Sequence, residues 1–289
     1  MYFERKYRMA MWAFSTVMFI ALIAITVMQR IYVPTPPYWI PLNQRVNNWL
    51  TLGMVLILAG PGFMEFSNSR WLRGVDVNAP RLLRDVTETV QSGVPLFRAL
   101  EEATTRDYGP ISENLEIAMV KFNLTSDLEG SLNWLGEALI RPSIKRISTI
   151  LIEAYKTGGD ILDVLTTSVD IFNDVAEYSE ERNNQMRPYV MIVYLGLIVF
   201  LVISWLLLTR FLTPLISSTS DPVIGESGLI HSMLDINYYQ SIMFWAAVME
   251  AIFGGLVAGK MGDGKVASGL IHSMALLLIT VIFFNTLHL

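Results

Sequence analysis

The chain has three histidines, His231, His272 and His288, and no cysteine. No histidine has a second histidine or a carboxylate at metal-ligand spacing on a helix, so no metal centre is expected. Disulfides, thiolate sites and cysteine nucleophiles are excluded outright. No glycine-rich loop followed by Lys-Ser/Thr is present, so the chain is not expected to hydrolyse a nucleotide, and no cofactor or catalytic residue is expected. Glu250 stands out because it lies inside a long apolar stretch, where insertion of a charge costs ~2.5–3.5 kcal/mol. Such a carboxylate either fixes helix packing within the chain or makes a polar contact with another membrane helix. Further along the same stretch, Gly255 and Gly259 form a small-xxx-small pair that lets two helices approach closely, within the chain or between copies. Two basic knots complete the set: Arg141, Lys145 and Arg146, with Arg81 and Arg84 as the second.

These residues must be positioned by a chain unusually rich in apolar residues. Of 289 residues, 53% are apolar, with a mean hydropathy of +0.44, beyond an ordinary soluble domain. Five windows are long and apolar enough to span a membrane: Ala10–Met28, Trp49–Phe66, Tyr189–Leu212, Tyr238–Gly259 and Ser268–Leu287. The second is the weakest, because Gly60-Pro61-Gly62 is expected to break it near its end. Arg5, Lys6 and Arg8 precede the first window, which is too long for a cleaved signal and reads as a retained anchor. Lys and Arg placement then sets topology. The basic N-terminus, residues 67–188 and the connection carrying Lys260 and Lys265 fall on the cytoplasmic side of a cell membrane. The C-terminus and loops 29–48 and 213–236 fall outside. The expected domains are residues 1–66 with two spans and an external Pro-rich loop, 67–188 as a cytoplasmic helical domain, and 189–289 with three spans.

Residues 67–188 hold 13 Lys+Arg against 19 Asp+Glu, a difference of −6, which makes nucleic acid a poor partner. Leu82, Leu83, Val86 and Val90 recur at helical spacing. Gly93 should end that helix and Pro95 open the next. Further helices are expected near Ser112–Phe122, from Ser126 or Asp127 to Leu139, and from Pro142 to the Gly158-Gly159 stop, with Asp160 capping a sixth. The turns near Gly93, Ser126 and Gly159 are 33 residues apart. This period matches tetratricopeptide units, but their aromatic and small-residue signature is not in register, and a compact six-helix bundle is the more economical solution. No breaker lies between Asp170 and Pro188, so the sixth helix is expected to run on into the third span, kinked at Pro188. The fold class is therefore all-α: a polytopic membrane protein with about five spans and a cytoplasmic six-helix bundle.

Asp76-Val-Asn-Ala-Pro80-Arg-Leu-Leu-Arg-Asp85 followed by Ser92-Gly-Val-Pro-Leu-Phe-Arg-Ala-Leu100 resembles the opening of the type II secretion F domain. Glu153-Ala-Tyr-Lys-Thr-Gly-Gly-Asp-Ile-Leu-Asp-Val-Leu165 is similar to the family's second glycine turn. Gly254-Gly-Leu-Val-Ala-Gly-Lys260 with Gly269-Leu-Ile-His272 looks most like its archaeal branch. The resemblance implies a non-enzymatic membrane platform for a type IV pilus-like, archaellum-like or tight-adherence-like filament. It implies a hexameric assembly ATPase as partner of the cytoplasmic domain, with Arg141, Lys145, Arg146, Arg81 and Arg84 as docking candidates. It also implies pilin-like subunits in the membrane, where Glu250, Gly255 and Gly259 are contact candidates; Gly93, Pro95, Gly158, Gly159 and Asp160 would shape the turns. The central turn, Leu124-Thr-Ser-Asp-Leu128, lacks the family's frequent glycine. The single F domain points to a second copy from a homodimer or a paralogous chain. Membrane lipids are the remaining partner. The rival readings are a small transporter, which predicts inverted repeats and several intramembrane polar groups, and a receptor signalling through its helical domain.

Overall fold

In the computed structural model, residues 5–28, 40–158, 161–214 and 236–286 are described. The regular structure among them is entirely helical: α1 (Arg5–Met28), α2 (Gln44–Gln91), α3 (Leu96–Ala103), α4 (Ser112–Thr125), α5 (Leu128–Ala138), α6 (Pro142–Thr157), α7 (Ile161–Leu206), α8 (Ile236–Asp263) and α9 (Gly269–Thr286). Short 3-10 turns precede α4 and α9, and a π-helical turn, Leu207–Leu212, follows α7. Five helices are long and apolar enough to cross a membrane. Two compact units result: Ser67–Asn184, and Arg5–Phe66 with Gln185–Leu289.

The charged unit, Ser67–Asn184, is built from the end of α2, helices α3 to α6 and the start of α7. Each boundary has a local cause. Gly93 takes φ +93° after α2, where only glycine is unstrained, and Pro95 is the N-cap of α3. Ser126 closes α4 at φ +55°, filling the left-handed position without a glycine. The Asp127 carboxylate then caps α5, accepting from the Gly130 N–H at 2.9 Å, which satisfies one of the free donors of the first turn. Pro142 opens α6, and Gly158 ends it at φ +66°. Gly159 and Asp160, named for the same turn, lie outside the described residues. One apolar core joins these helices, including Leu82, Leu83, Val86, Leu100, Leu132 and Ile147, all fully buried.

Contrary to the break expected at Gly60-Pro61-Gly62, α2 passes through it without interruption. Proline lacks the N–H that would bond the carbonyl four residues back, which is that of Ile57. The Ser15 hydroxyl on α1 donates to that carbonyl at 2.6 Å. A neighbouring serine re-satisfying a freed carbonyl is how membrane helices tolerate proline. The flanking glycines are packing positions: an added Cβ at Gly60 would meet Met11 of α1 at 3.1 Å, and one at Gly62 would meet Leu270 of α9 at 3.5 Å. Helix α7 likewise continues past Pro188 to Leu206, as its lack of breakers predicts.

In the second unit α1 and α2 run antiparallel, since Met11 faces Gly60, Ser15 bonds Ile57 and Leu22 faces Gly53. Helices α7, α8 and α9 share a second core around Leu197, Phe244, Val248 and Leu277. Many large apolar side chains on these spans stay exposed, Leu56, Phe63, Met191 and Phe253 among them, as expected of surfaces that lipid covers.

Candidate docking site and intramembrane contacts

The five candidate cations do not share one situation. Arg141, at the N-cap of α6, is engaged with Asp76 of α2: its Nε donates to Oδ1 at 3.1 Å, and a terminal guanidinium nitrogen reaches Oδ2. The Ser143 hydroxyl donates to the same carboxylate at 2.8 Å. This fork-to-fork pair is a fixed structural joint. Partial burial lowers the Arg141 pKa below the usual arginine value, though the group stays a cation. Arg84 donates to the Asn173 side chain at 2.7 Å, linking α2 to α7. The Arg81 guanidinium lies 5.8 Å from the centre of the Tyr108 ring. Arg81 and Arg84 nevertheless remain exposed.

Lys145 and Arg146 differ. Both are exposed on α6 and border a groove of ≈ 460 Å³ that Ile150 of α6 and Ile171, Phe172 and Val175 of α7 also line. A basic rim on an apolar groove is a surface able to hold an amphipathic partner.

A second polar cluster, formed by residues that no sequence motif connects, lies between α2 and the α3–α4 connection. The fully buried Tyr108 donates its hydroxyl to Asp85 of α2 at 2.8 Å. Arg106 approaches Asp85 at 3.3 Å and Glu102 at 3.1 Å. Burial, then the hydrogen bond to Asp85, pushes the Tyr108 hydroxyl well above the tyrosine range. The same carboxylates raise the Arg106 pKa through hydrogen bonds to Asp85 and Glu102. The cluster ties the α3–α4 connection to α2; its only sequence signal was a carboxylate beside the apolar Leu82/Leu83/Val86 face.

In the membrane unit, Glu250 of α8 lies beside Gly196 of α7, where an added Cβ would stand 3.6 Å from the carboxylate. Gly255 and Gly259 pack against α9: a Cβ on either would overlap the backbone of Ser273 or Gly269. The two helices thus meet small residue on small residue, 255 and 259 against 269 and 273. The Ser273 hydroxyl donates to the Ile252 carbonyl at 2.9 Å across the same crossing. His272 Nδ1 and the Tyr194 hydroxyl are 2.8 Å apart. Polar groups beyond Glu250 are present too. Glu65 is 4% exposed and pairs with Arg8 of α1. Asn47 of α2, fully buried, accepts from the Trp245 indole at 3.0 Å and donates to Ser241 at 3.2 Å. His231 and His288 lie outside the described residues. Among the described residues, no group of three or more His, Cys, Asp and Glu is placed to hold a metal ion.

Helical hairpins joined to membrane-spanning helices define an all-α membrane protein with a helical domain inserted between its spans. Residues 82–209 match the family described as Type II secretion system (T2SS), protein F. The matched stretch runs from the last turns of α2 through the hairpins and along α7 into the π-helical turn that follows it. An uncharacterized protein of Methanocaldococcus jannaschii is 24% identical over 209 residues, which is 71% of this chain and 33% of the relative. The chain thus spans about a third of the length of the curated relative it matches. No solved structure matches.

Proposed function

We propose that this protein is a non-enzymatic membrane platform for assembly of a type IV pilus-like or archaellum-like filament in an archaeal cell. The match of residues 82–209 to the type II secretion protein F family is the observation that supports this reading. The N-terminus and the charged unit face the cytoplasm, and the C-terminus faces outward, in keeping with the placement of Lys and Arg. The charged unit docks a hexameric assembly ATPase, and the membrane spans receive pilin-like subunits, with Glu250 as a polar contact. A second F domain comes from another copy or a paralogue. Of the five cations, Arg141 is the one held in a structural pair, and four remain on the surface.

The test is crosslinking in native membranes under conditions of filament production, followed by mass spectrometry. A P-loop ATPase crosslinked to residues 67–184 is the expected result. Recovery of the chain without any ATPase, or solute movement by the purified protein alone in liposomes, would overturn the platform reading. Filament assembly by Glu250→Gln at the normal level would remove the pilin contact from that residue.

A further inference from the structure

The exposed side of α7 carries two parallel rows. Ile171, Val175 and Tyr178 recur at i, i+4 and i+7, and they are 57%, 54% and 78% exposed. One position before each stands a carboxylate: Asp170, Asp174 and Glu177, with Glu181 continuing the row, all four exposed. One residue is about 100° around a helix, so the acidic row flanks the apolar row along its length. On the other flank lies the groove, where Phe172 is half-buried and Lys145 and Arg146 of α6 form the far rim. Across this surface the order is therefore basic, apolar, acidic. The apolar row stops at Arg182.

This order is self-complementary. Two such faces related by a two-fold axis parallel to α7 place the basic rim of each against the acidic row of the other, with the apolar rows between. An axis across α7 would instead oppose like charges. Copies inserted the same way in one bilayer have their α7 helices pointing the same way, because α7 carries a membrane-crossing segment in the same helix. That is the relation the charges require. An isologous interface repeats every such contact twice.

The geometry points to the α6–α7 groove as the contact for a second copy of this chain: Ile171, Val175 and Tyr178 of the two copies pack together, and Lys145 and Arg146 of each face Asp174 and Glu177 of the other. This deepens the platform reading, which calls for a second F domain. Of the five candidate cations, it leaves Arg81 and Arg84 for an ATPase.

The chain has no cysteine, so single-cysteine variants of it give clean crosslinks in membranes. Val175→Cys is expected to oxidise to a covalent dimer of the chain, whereas Glu88→Cys, exposed on α2, is not. In the Val175→Cys background, Lys145→Glu with Arg146→Glu opposes like charges and should lower dimer yield by about tenfold or more. Adding Asp174→Lys and Glu177→Lys restores the pairing with reversed signs and should restore the dimer. Equal crosslinking at 175 and 88 overturns the proposal. So does a yield insensitive to charge reversal, or an adduct of Val175→Cys with a different protein. Because no ATPase is needed for this readout, its failure is distinct from failure of ATPase recovery.

Discussion

Replacing Ser15 by alanine removes the hydroxyl that donates to the Ile57 carbonyl, a bond that Pro61 cannot supply from within the helix. Ser15 is 6% exposed and its hydroxyl sits 2.6 Å from that carbonyl, so water is a poor substitute. An orphaned polar group in such surroundings costs ~1–3 kcal/mol by protein mutagenesis. Hydrogen bonds between membrane helices average about 0.6 and reach about 1.7 kcal/mol. Ser15→Ala is therefore expected to cost about 1–2 kcal/mol, a factor of roughly 5–30 in the folded-to-unfolded ratio.

The decisive comparison is a double-mutant cycle. Pro61→Ala restores an N–H at position 61, which can bond Ile57 within α2. In that background the serine is dispensable for the carbonyl, and Ser15→Ala should cost no more than about 0.5 kcal/mol, the usual limit of additivity between independent sites. Reversible denaturation of the purified chain in bicelles, followed by tryptophan fluorescence, measures all four variants. Equal costs of Ser15→Ala in the wild-type and Pro61→Ala backgrounds would refute the reasoning and reduce the serine to a packing residue.

At the α8–α9 crossing, Gly255→Val or Gly259→Val should destabilise the chain by about 1–3 kcal/mol or more, because the new Cβ meets backbone. Gly254→Ala, which meets only the Val193 side chain at 3.0 Å, should lower Tm less; the reverse order would sink the account. Asp76→Ala leaves Arg141 without its carboxylate and should cost about 1–2 kcal/mol, less than a fully buried pair because the two side chains are 26% and 35% exposed. Ser126→Gly should raise stability by up to about 1 kcal/mol, since relief of a left-handed non-glycine outweighs the entropy glycine adds to the unfolded chain. Tyr108 ionises in the folded state only above its ordinary value of 10.0. The folded form thus retains a proton that the unfolded chain loses, and the contribution, complete below pH 10, falls as pH rises through the alkaline range. A denaturation series across that range should show this slope in the wild type and lose it in Tyr108→Phe.

The features legible in the sequence are those set by near neighbours. Glycine supplies positive φ at 93 and 158, and proline opens α3 and α6, so these two turns follow from residue type, whereas Ser126 closes α4 without a glycine. The five spans and the unbroken α7 follow from apolar length and the lack of breakers. What sequence could not show depends on partners distant along the chain. Pro61 looks like a helix stop until Ser15, 42 residues from Ile57, is known to bond the carbonyl it frees. Arg141 looks like part of a basic knot until Asp76, 65 residues away, is seen to hold it. The pairing of Glu65 with Arg8, and of Asn47 with Trp245, likewise needed the helices side by side.

The same dependence on distant partners decides which charges are free to act on another molecule. Among Arg141, Lys145 and Arg146 the residue types are equivalent, and only the first has an acidic neighbour fixed by the fold. Its pair closes the joint between α2 and α6, so altering it tests folding before it tests docking. Lys145 and Arg146 stand beside exposed apolar side chains, where a partner's carboxylates would be drawn to a surface that also excludes water. Carboxylates in that arrangement already exist on α7 of this chain, at four positions in one row. Salt separates these roles in a measurable way. Exposed pairs between copies weaken as the Debye length shortens from about 10 Å at 0.1 M toward 3 Å at 1 M, while the apolar row retains its contribution. Crosslinking at Val175→Cys should therefore decline with added salt but persist, and a yield that rises with salt would show that the charges oppose the contact.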